Sequence, residues 1–441
     1  MTTTTDNSRT LPLPPGKFGL PLIGETVEFL RDPDFIEKRQ KKYGSIFKTR
    51  LFGAPSIIIV GVEANRFILT NNEYFAISWP PSTKTLLGPN SLVIKEGSQH
   101  QSRRKLLSYA FQPKALAGYL PGMEIITQEY LKKWQSIGSL TWYPELRNYT
   151  FDIASTLLIG TKPDSSTSLS QLFKVWSEGL FTIPLALPWT KFGRALHCRK
   201  QILAEIEKIV LSRQIQQESG QDALSLMLQV RDEEGNGFSL PELKDQVLLL
   251  LFAGHETVTS TLGTFCLSLA KYPEVREKVR AEIRQVVGND ALTMEHFKQM
   301  PYLEMVIKEA LRFIPPVGGG FRKVIKSCEY NGYHIPEGWS VLYQIARTHK
   351  DESIYAQPNK FDPERFSPER NEDKKPFSYI PFGGGMRECL GKAFAQLVMK
   401  VFAVYLVRDY NWELLPEQNL ELVRIPTPHP KDGLKVSIQR L

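Results

Sequence analysis

Apolar and polar residues alternate with a helical period along most of this chain. Apolar residues recur three and four positions apart, which predicts helices over residues 100–110, 125–134, 151–158, 204–217, 240–271, 273–287, 303–313 and 390–407. Shorter strand-like stretches flank turn residues and predict two hairpins, joining residues 45–50 to 56–60 and 324–330 to 333–335. A Pro- and Gly-rich lead-in at residues 11–24 excludes helix there. The chain is predicted to be mainly α with a smaller β part.

The longest predicted helix, Leu240–Lys271, carries its own start signal. Ser239 can cap it, and Glu242 three residues later completes a capping box. The usual globular helix has roughly 11–12 residues, so this one is exceptional. Its middle, residues 247–253, is apolar on every side, which indicates a helix that runs through the core. Polar residues near that centre therefore need a functional explanation.

Composition narrows the class of protein further. The 441 residues show no repeat, low-complexity segment or flexible linker, so we expect one domain over residues 1–441, with residues 1–10 poorly ordered. No apolar run reaches the eighteen or so residues that a membrane span needs. Four separated cysteines without a CxxC pair argue against disulfides and zinc, and favour the cytoplasm. The formal charge of +8 is spread along the chain, which favours an acidic protein partner over nucleic acid.

A glycine-rich loop before the last predicted helix contains the strongest chemical signal. It places Phe382, Gly385, Arg387, Cys389 and Gly391 at alternate or nearly alternate positions. The helix start and Arg387 are expected to lower the pKa of the Cys389 thiol, which suits a thiolate ligand. An isolated cysteine is usually a small buried apolar residue, and a glycine-rich turn more often binds phosphate. No Lys-Ser/Thr pair follows, and the joint spacing favours a metal-binding thiolate.

These five residues at this spacing resemble the haem-binding signature of the cytochrome P-450 family. A second family feature matches Ala253-Gly-His-Glu-Thr257 in the long helix. The resemblance implies the cytochrome P-450 fold, with that helix over haem b (iron protoporphyrin IX) and Ala253 beside it. It also implies that Cys389 binds the iron, that Thr257 hydrogen-bonds dioxygen and that Glu256 belongs to the proton-delivery path. From the residues alone, Gly254 and a back-bonded Thr257 are expected to loosen the helix and open a notch.

Two further groups of charged residues acquire roles through the resemblance. Glu309 and Arg312 lie on one helical face and by themselves predict a surface ion pair, but the family joins them to Arg365 in a buried structural network. His100 and Arg104 also share a helical face, which alone indicates a solvated basic helix. The resemblance makes four residues the partners of the haem propionates, namely His100, Arg104, Arg322 and Arg387.

Within the family, the chain looks most like soluble cyanobacterial members of the retinoic-acid-hydroxylating group. The motifs that carry this likeness are Leu13-Pro-Pro-Gly16, Gly24-Glu25-Thr26, Tyr43-Gly44, Trp79-Pro80, Phe252-Ala-Gly-His-Glu-Thr257 and Gly319-Gly-Phe-Arg322. The resemblance implies a monooxygenase that hydroxylates an apolar small molecule, a retinoid or isoprenoid, with O2 and two electrons. We expect no fused reductase, so a separate ferredoxin or flavodoxin with its reductase would supply the electrons. Residues such as Arg103, Lys105 and Lys392 are expected to offer that carrier a positive face. We expect a monomer.

The expected substrate pocket is a hypothesis from apolar content and position. Its candidate walls lie near the motifs and along residues 173–189, and the individual candidates are Trp79, Phe181, Ala253, Gly318, Gly319 and Phe321. Two other functions are compatible with the sequence. A peroxide-driven or isomerising relative would keep the cysteine but has less need of Glu256 and Thr257. A haem sensor or electron carrier would need neither those residues nor a roomy pocket.

Overall fold

The structure of the protein is a computed structural model, and it describes residues 11–161, 168–216, 220–424 and 426–441. The expectation that residues 1–10 are poorly ordered lies outside the described residues. No helix among the described residues is long and apolar enough to cross a membrane.

Helices make up most of the described chain. In order they are α1 (Thr26–Arg31), α2 (Phe35–Tyr43), α3 (Val62–Thr70), α4 (Pro81–Leu87), α5 (Gly97–Ser108), α6 (Pro113–Ile137), α7 (Trp142–Ile159), α8 (Ser168–Ser177), α9 (Lys191–Gln216), α10 (Ala223–Gln229), α11 (Leu240–Lys271), α12 (Pro273–Val286), α13 (Pro301–Phe313), α14 (Ile345–Thr348) and α15 (Lys392–Asp409). Every predicted helix is present among the described residues, with Gln217 of the predicted helix 204–217 lying outside them, and the mainly α class is confirmed.

The strands of the described residues are short and form four sheets. They are β1 (Ile46–Leu51), β2 (Ala54–Val60), β3 (Phe75–Ile77), β4 (Ser139–Thr141), β5 (Gly319–Val324), β6 (Cys328–Tyr330), β7 (Tyr333–Ile335), β8 (Ser340–Gln344), β9 (Tyr410–Leu414), β10 (Leu422–Val423), β11 (His429–Pro430) and β12 (Lys435–Arg440). The largest sheet has the order β1-β2-β8-β5-β3, and within it β2 and β8 run parallel.

Both predicted hairpins form, but one predicted strand is wrong. Strands β1 and β2 turn back between Leu51 and Ala54, and β6 pairs with β7 across Asn331-Gly332. The stretch 324–330 is not one strand, because Val324 ends β5 in the large sheet and the chain bends before β6 begins. Two different sheets therefore divide that stretch.

Helix α11 runs through the main hydrophobic core. Its capping box is present, because the Ser239 hydroxyl accepts from the Glu242 backbone and the Glu242 carboxylate accepts from the Ser239 backbone. Of the predicted core stretch 247–253, residues 247–251 are buried all round, whereas Phe252 is half-buried and Ala253 is exposed. Helices α7, α9, α13 and α15 pack against it. Thr261 of α11, Ile307 of α13 and Met399 of α15 line one small internal space, so these three helices meet there.

Candidate active site

The cysteine loop has the tight geometry that its glycines predict. Gly385 has a φ of +64°, and a Cβ there would lie 2.4 Å from the Leu69 carbonyl oxygen, so only glycine fits without moving the backbone of α3. The Cys389 backbone N–H donates to the Phe382 carbonyl at 2.9 Å and closes the loop. Helix α15 begins at the next turn, with Gly391 as its N-cap. The loop thus fixes the sulfur at the start of a helix.

The surroundings of the Cys389 thiol act on its pKa in both directions. Burial raises this pKa, whereas the Gly391 N–H and the charges of Arg104 and Lys392 lower it, and burial prevails. The predicted net lowering of this pKa is therefore wrong, although the Gly391 N–H at the helix start acts in the predicted direction. Cys389 is nevertheless exposed by surface area. Both observations fit a side chain that lines an internal cavity, where a bound cation would stabilise the thiolate.

Four basic side chains converge near this loop. Arg104 of α5 donates to the Glu388 carbonyl at 2.7 Å, and Arg387 donates to the Lys95 carbonyl at 2.7 Å. Burial and the charges of Arg387 and Arg104 lower the pKa of His100 to about 4. Burial and the charges of Arg322 and Arg104 likewise lower the pKa of Arg387 to about 10, although Glu96 opposes them. Arg387 thus lies within electrostatic range of the other three predicted propionate partners.

Among the described residues, the arginines of this cluster have no close carboxylate partner, and Glu96 acts on Arg387 only through its charge. Within the described ranges, no carboxylate lies within 4.0 Å of Arg104, Arg322 or Arg387 in an ion pair. Half-buried cations without a counter-ion destabilise a protein until an anion binds. The site therefore fits a ligand with more than one negative group.

Two small residues leave room for a flat ligand. A Cβ on Gly391 would meet no protein atom closer than 3.9 Å, at the Phe111 ring, so packing within the chain does not require glycine there. Ala253 is exposed although residues 247–251 and 255–256 around it are buried, so it faces a cavity. A thiol, a cation cluster and two sterically open faces fit haem, with its two carboxylates and thiolate-ligated iron.

Thr257 lies one turn after Ala253 on the same side of α11. Its hydroxyl donates to the Ala253 carbonyl at 2.8 Å, as expected from the sequence. The helix nevertheless runs without interruption through this turn. A Cβ on Gly254 would lie 3.2 Å from Leu158 of α7, so this glycine allows close helix packing. Its predicted role in loosening the helix receives no support from this geometry.

Glu256 points toward α7 instead of sharing the exposure of Ala253. It is only 1% exposed, forms a very short ion pair with Arg147, and lies 3.4 Å from the His255 ring. Burial alone would raise the pKa of Glu256, but the His255 hydrogen bond and the charges of His255 and Arg147 lower it to about 2. Glu256 is therefore an ionised carboxylate that Arg147 keeps in place. It reaches the cavity only if this ion pair opens.

Glu309, Arg312 and Arg365 meet in one fully buried network. Arg312 donates to both carboxylate oxygens of Glu309, at 2.7 and 2.8 Å, and Arg365 donates to the same carboxylate at 3.2 Å. Arg312 also donates to the His349 carbonyl, and the His349 ring accepts from the Ile380 N–H at 3.0 Å. Ile380 precedes the cysteine loop, so the network connects helix α13 to that loop.

The pocket candidates do not share one environment. Trp79 donates its indole N–H to the Val93 carbonyl, and Phe181 packs against the main core. Gly318 is exposed, whereas Gly319 lies within β5 and a Cβ there would meet the Tyr343 carbonyl at 2.3 Å. Phe321 packs its ring 6.0 Å from Phe52, in the smaller core cluster around β1 and β2.

The predicted wall over residues 173–189 divides into two parts. Phe173 and Trp176 are buried, and Trp176 packs edge-on against Phe252 of α11 at 5.3 Å. Trp189 is 74% exposed, and Ile183 and Leu185 are exposed too. The first part is thus connected to α11 beside Ala253, and the second lies on open surface.

The positive face expected around Arg103, Lys105 and Lys392 is largely compensated. Arg103 pairs with Glu242 at 2.8 Å, Lys105 with Glu233 at 2.6 Å and Lys392 with Glu388 at 3.0 Å. The sequence pattern missed these partners because two of the three pairs join residues that are far apart in the chain. These residues contribute less net charge than the expectation assumed.

Comparison with known proteins identifies the class. A sequence model of the family described as "Cytochrome P450" matches residues 14–435. "Putative cytochrome P450 120" from Synechocystis sp. is 51% identical over 443 residues and covers 100% of both chains. "Cytochrome P450 26B1" from Xenopus tropicalis is 39% identical, over 98% of this chain and 88% of its own length.

A solved structure matches over almost the whole chain. The structure described as "Retinoic acid bound cyanobacterial CYP120A1" superposes with a TM-score of 0.95 and 52% identity, and covers 98% of this chain and 100% of its own. Fold and site thus define a haem-thiolate monooxygenase. The chain belongs to the cytochrome P450 family, and its cofactor is haem b.

Proposed function

We propose that this cytochrome P450 hydroxylates retinoic acid or a closely related apolar carboxylic acid of the isoprenoid class. The observation that carries the proposal is the 52% identity and TM-score of 0.95 to a cyanobacterial relative described as retinoic acid bound. Ala253 and Thr257 lie one turn apart on the cavity side of α11. This arrangement supports an oxygenase, because it places a small apolar side chain next to a hydroxyl.

Each site residue receives a role in this proposal. Cys389 would hold the haem iron as its thiolate ligand, and four residues would hold the propionates, namely His100, Arg104, Arg322 and Arg387. Phe382, Gly385 and Gly391 shape the loop and leave space for the ring. When bound, the haem supplies reductive activation of O2 and insertion of one oxygen atom into a C–H bond.

The chain itself contributes orientation and proton control. The Thr257 hydroxyl can release the Ala253 carbonyl and donate into the cavity, because the helix keeps its backbone hydrogen bonds without this contact. Glu256 stays ionised beside Arg147 and can accept or pass a proton only when that pair opens. Glu309, Arg312 and Arg365 act on the cysteine loop through His349 and Ile380, and are structural.

The partners are also part of the proposal. A ferredoxin- or flavodoxin-type donor with its reductase delivers the electrons one at a time, and the protein acts as a monomer. A cytoplasmic location accords with the four cysteines, because all of them are free thiols. Residues 1–441 form a single haem domain.

The test uses the haem-loaded enzyme with retinoic acid and, as the comparison ligand, a saturated fatty acid. We expect retinoic acid to give the difference spectrum of water displacement, and an NAD(P)H-driven donor system with labelled dioxygen to give a product carrying one labelled oxygen. A spectral shift with the fatty acid but not with retinoic acid would overturn the substrate. Turnover with peroxide alone would favour the peroxide-driven alternative, and no turnover under either condition would favour a haem sensor.

A further inference from the structure

A strap of residues 79–93 spans one side of the site. Before it, Ile77 of β3 pairs with Arg322 in the large sheet. After it, the Lys95 carbonyl accepts from Arg387. Both ends of the strap therefore lie beside arginines that we assign to the haem propionates. Trp79 closes the strap on itself through its hydrogen bond to Val93 at 3.0 Å.

The middle of the strap is tied to α11 by side chains. The Asn90 N–H donates to Asp245 at 3.1 Å, Gln246 donates to the Asn90 carbonyl at 2.6 Å, and the Leu92 N–H donates to Gln246 at 3.0 Å. Asp245 precedes Ala253 by about two turns, roughly 12 Å along the helix axis. The strap thus crosses from the propionate end to the part of α11 that leads to the cavity.

An ion pair with α9 completes this attachment. Arg199 donates to Asp245 at 2.6 Å and to the Leu86 carbonyl at 2.9 Å. Gly88 lies directly over the pair with a φ of +91°, and a Cβ there would be 2.2 Å from the Arg199 guanidinium and 2.4 Å from the Asp245 carboxylate. Only glycine allows the strap to lie against this pair.

We propose that Arg199, Asp245 and Gly88 form a latch that holds the strap closed and sets how fast an apolar substrate enters and leaves. The inference rests on the proposed function, because it requires a ligand cavity beneath the strap. Residues 88–96 have neither helix nor strand, and their backbone turns bond within the segment, so the side chains of Asp245 and Gln246 attach it to α11. Asp245 is buried and Arg199 is largely buried, which strengthens their charge-assisted bonds.

The chain offers a matched control for this latch. Lys244 and Glu207 form a second ion pair between the same two helices, at 2.6 Å. In the described part of the chain, the hydrogen bonds and ion pairs of these two residues do not include the strap. Glu207→Gln therefore weakens the α9–α11 contact without releasing residues 86–92.

The experiment measures ligand association and dissociation in the haem-loaded enzyme by stopped-flow spectroscopy. The ligands are retinoic acid and a phenylimidazole, which binds haem iron directly. In Asp245→Asn and in Gly88→Ala, we expect both rate constants to rise about tenfold for each ligand, with a smaller change in kcat at saturation. Glu207→Gln should keep wild-type rates, and an unchanged carbon monoxide spectrum verifies the haem site.

Hydrogen exchange gives a readout that does not depend on the haem. The Asn90 and Leu92 amides should exchange faster in Asp245→Asn but not in Glu207→Gln, while core amides of α11 stay protected. Wild-type ligand rates in both latch variants, or unchanged strap exchange in Asp245→Asn, would overturn the latch. If the wild-type enzyme binds phenylimidazole but not retinoic acid, the proposed substrate fails, and the phenylimidazole rates still decide the latch.

Discussion

The cations beside the cysteine loop destabilise the haem-free protein. Burial and the positive charges of Arg322 and Arg104 lower the pKa of Arg387. Like charges at partial burial repel, and water screens them only in part. Binding residues of this kind should therefore lower the stability of the haem-free protein and raise the stability of the haem complex.

Arg387→Gln tests these opposite effects on the haem-free protein and on the haem complex. Because it removes a repelling charge, the haem-free protein should keep or raise its thermal midpoint. Because it removes a charge-assisted contact to a propionate, haem should dissociate about tenfold faster. Thermal unfolding with and without haem, and transfer of haem to a scavenger protein, measure the two effects. The control is Arg66→Gln, an exposed arginine paired with Glu63, and a parallel loss in both forms of Arg387→Gln would contradict the prediction.

His100 should make the haem-free protein sensitive to acid. Its pKa is about 4 when folded, against an ordinary 6.5. As pH falls between these values the unfolded chain takes up the proton first, so the free energy of unfolding should fall from pH 6.5 toward pH 4. His100→Gln should flatten part of this slope in urea unfolding measured at several pH values. His349, with a folded pKa of about 3, should leave a residual slope.

Haem should reduce the contribution of His100, because nearby carboxylates favour the protonated ring. The haem-loaded wild-type protein is therefore expected to show the shallower slope. An identical slope in haem-free wild type and His100→Gln would show that this histidine is not the titrating group.

At the scale of elements, a helix end could be predicted where its signal lies in neighbouring residues. The extent of other helices depends on packing between distant parts of the chain. Helix α11 begins at Leu240 as predicted, because its capping box lies within four residues. Helix α6 was predicted only over residues 125–134, yet it spans Pro113–Ile137 and continues through Pro121. A proline in the pattern signals a break, and tertiary packing overrides it here.

In the sheet and in the site, too, features formed by neighbouring residues could be predicted and features formed by distant residues could not. The cysteine loop could be predicted because its five residues lie within ten positions. The parallel pairing of β2 with β8 could not, because nearly three hundred residues separate them. Arg147 also gave no signal, because it contacts Glu256 across 109 positions of sequence. Periodicity describes which face of an element is apolar, but it does not identify the partner of a charged side chain.

The ion pair between α7 and α11 should respond unequally to loss of its two members. Arg147 is 25% exposed and Glu256 is 1% exposed. Glu256→Gln leaves an arginine that can reach water, so we expect a loss of about 1 kcal/mol. Arg147→Met leaves a buried carboxylate without its arginine partner, and we expect a loss of about 3 kcal/mol.

Urea unfolding at pH 7 measures both losses, and the double variant measures their coupling. The Arg147→Met deficit should shrink as pH falls from 4.5 toward 2, because the wild-type carboxylate has a pKa of about 2 and loses its contribution there. Equal losses in the two single variants would show that the exposure of Arg147 does not matter.

At the scale of the whole molecule, the charge of +8 acts on partners through its distribution. The three cations expected to attract an electron carrier each have a carboxylate beside them. Close pairs of opposite charge cancel at distances beyond the Debye length, about 10 Å at 0.1 M salt. An acidic carrier should therefore be steered by the net excess and only weakly by these particular residues.

Glu233→Gln converts one of these pairs into a free charge. Its partner Lys105 is 63% exposed, so the variant adds one unit of accessible positive charge beside α5 at little structural cost. With an acidic ferredoxin, the reduction rate should rise about twofold at low salt and converge with the wild-type rate near 0.5 M salt. Glu205→Gln frees Lys208 on α9 and should have a smaller effect if the carrier docks beside α5. Rates that do not depend on salt would argue against electrostatic docking, and equal gains in the two variants would argue against docking at α5.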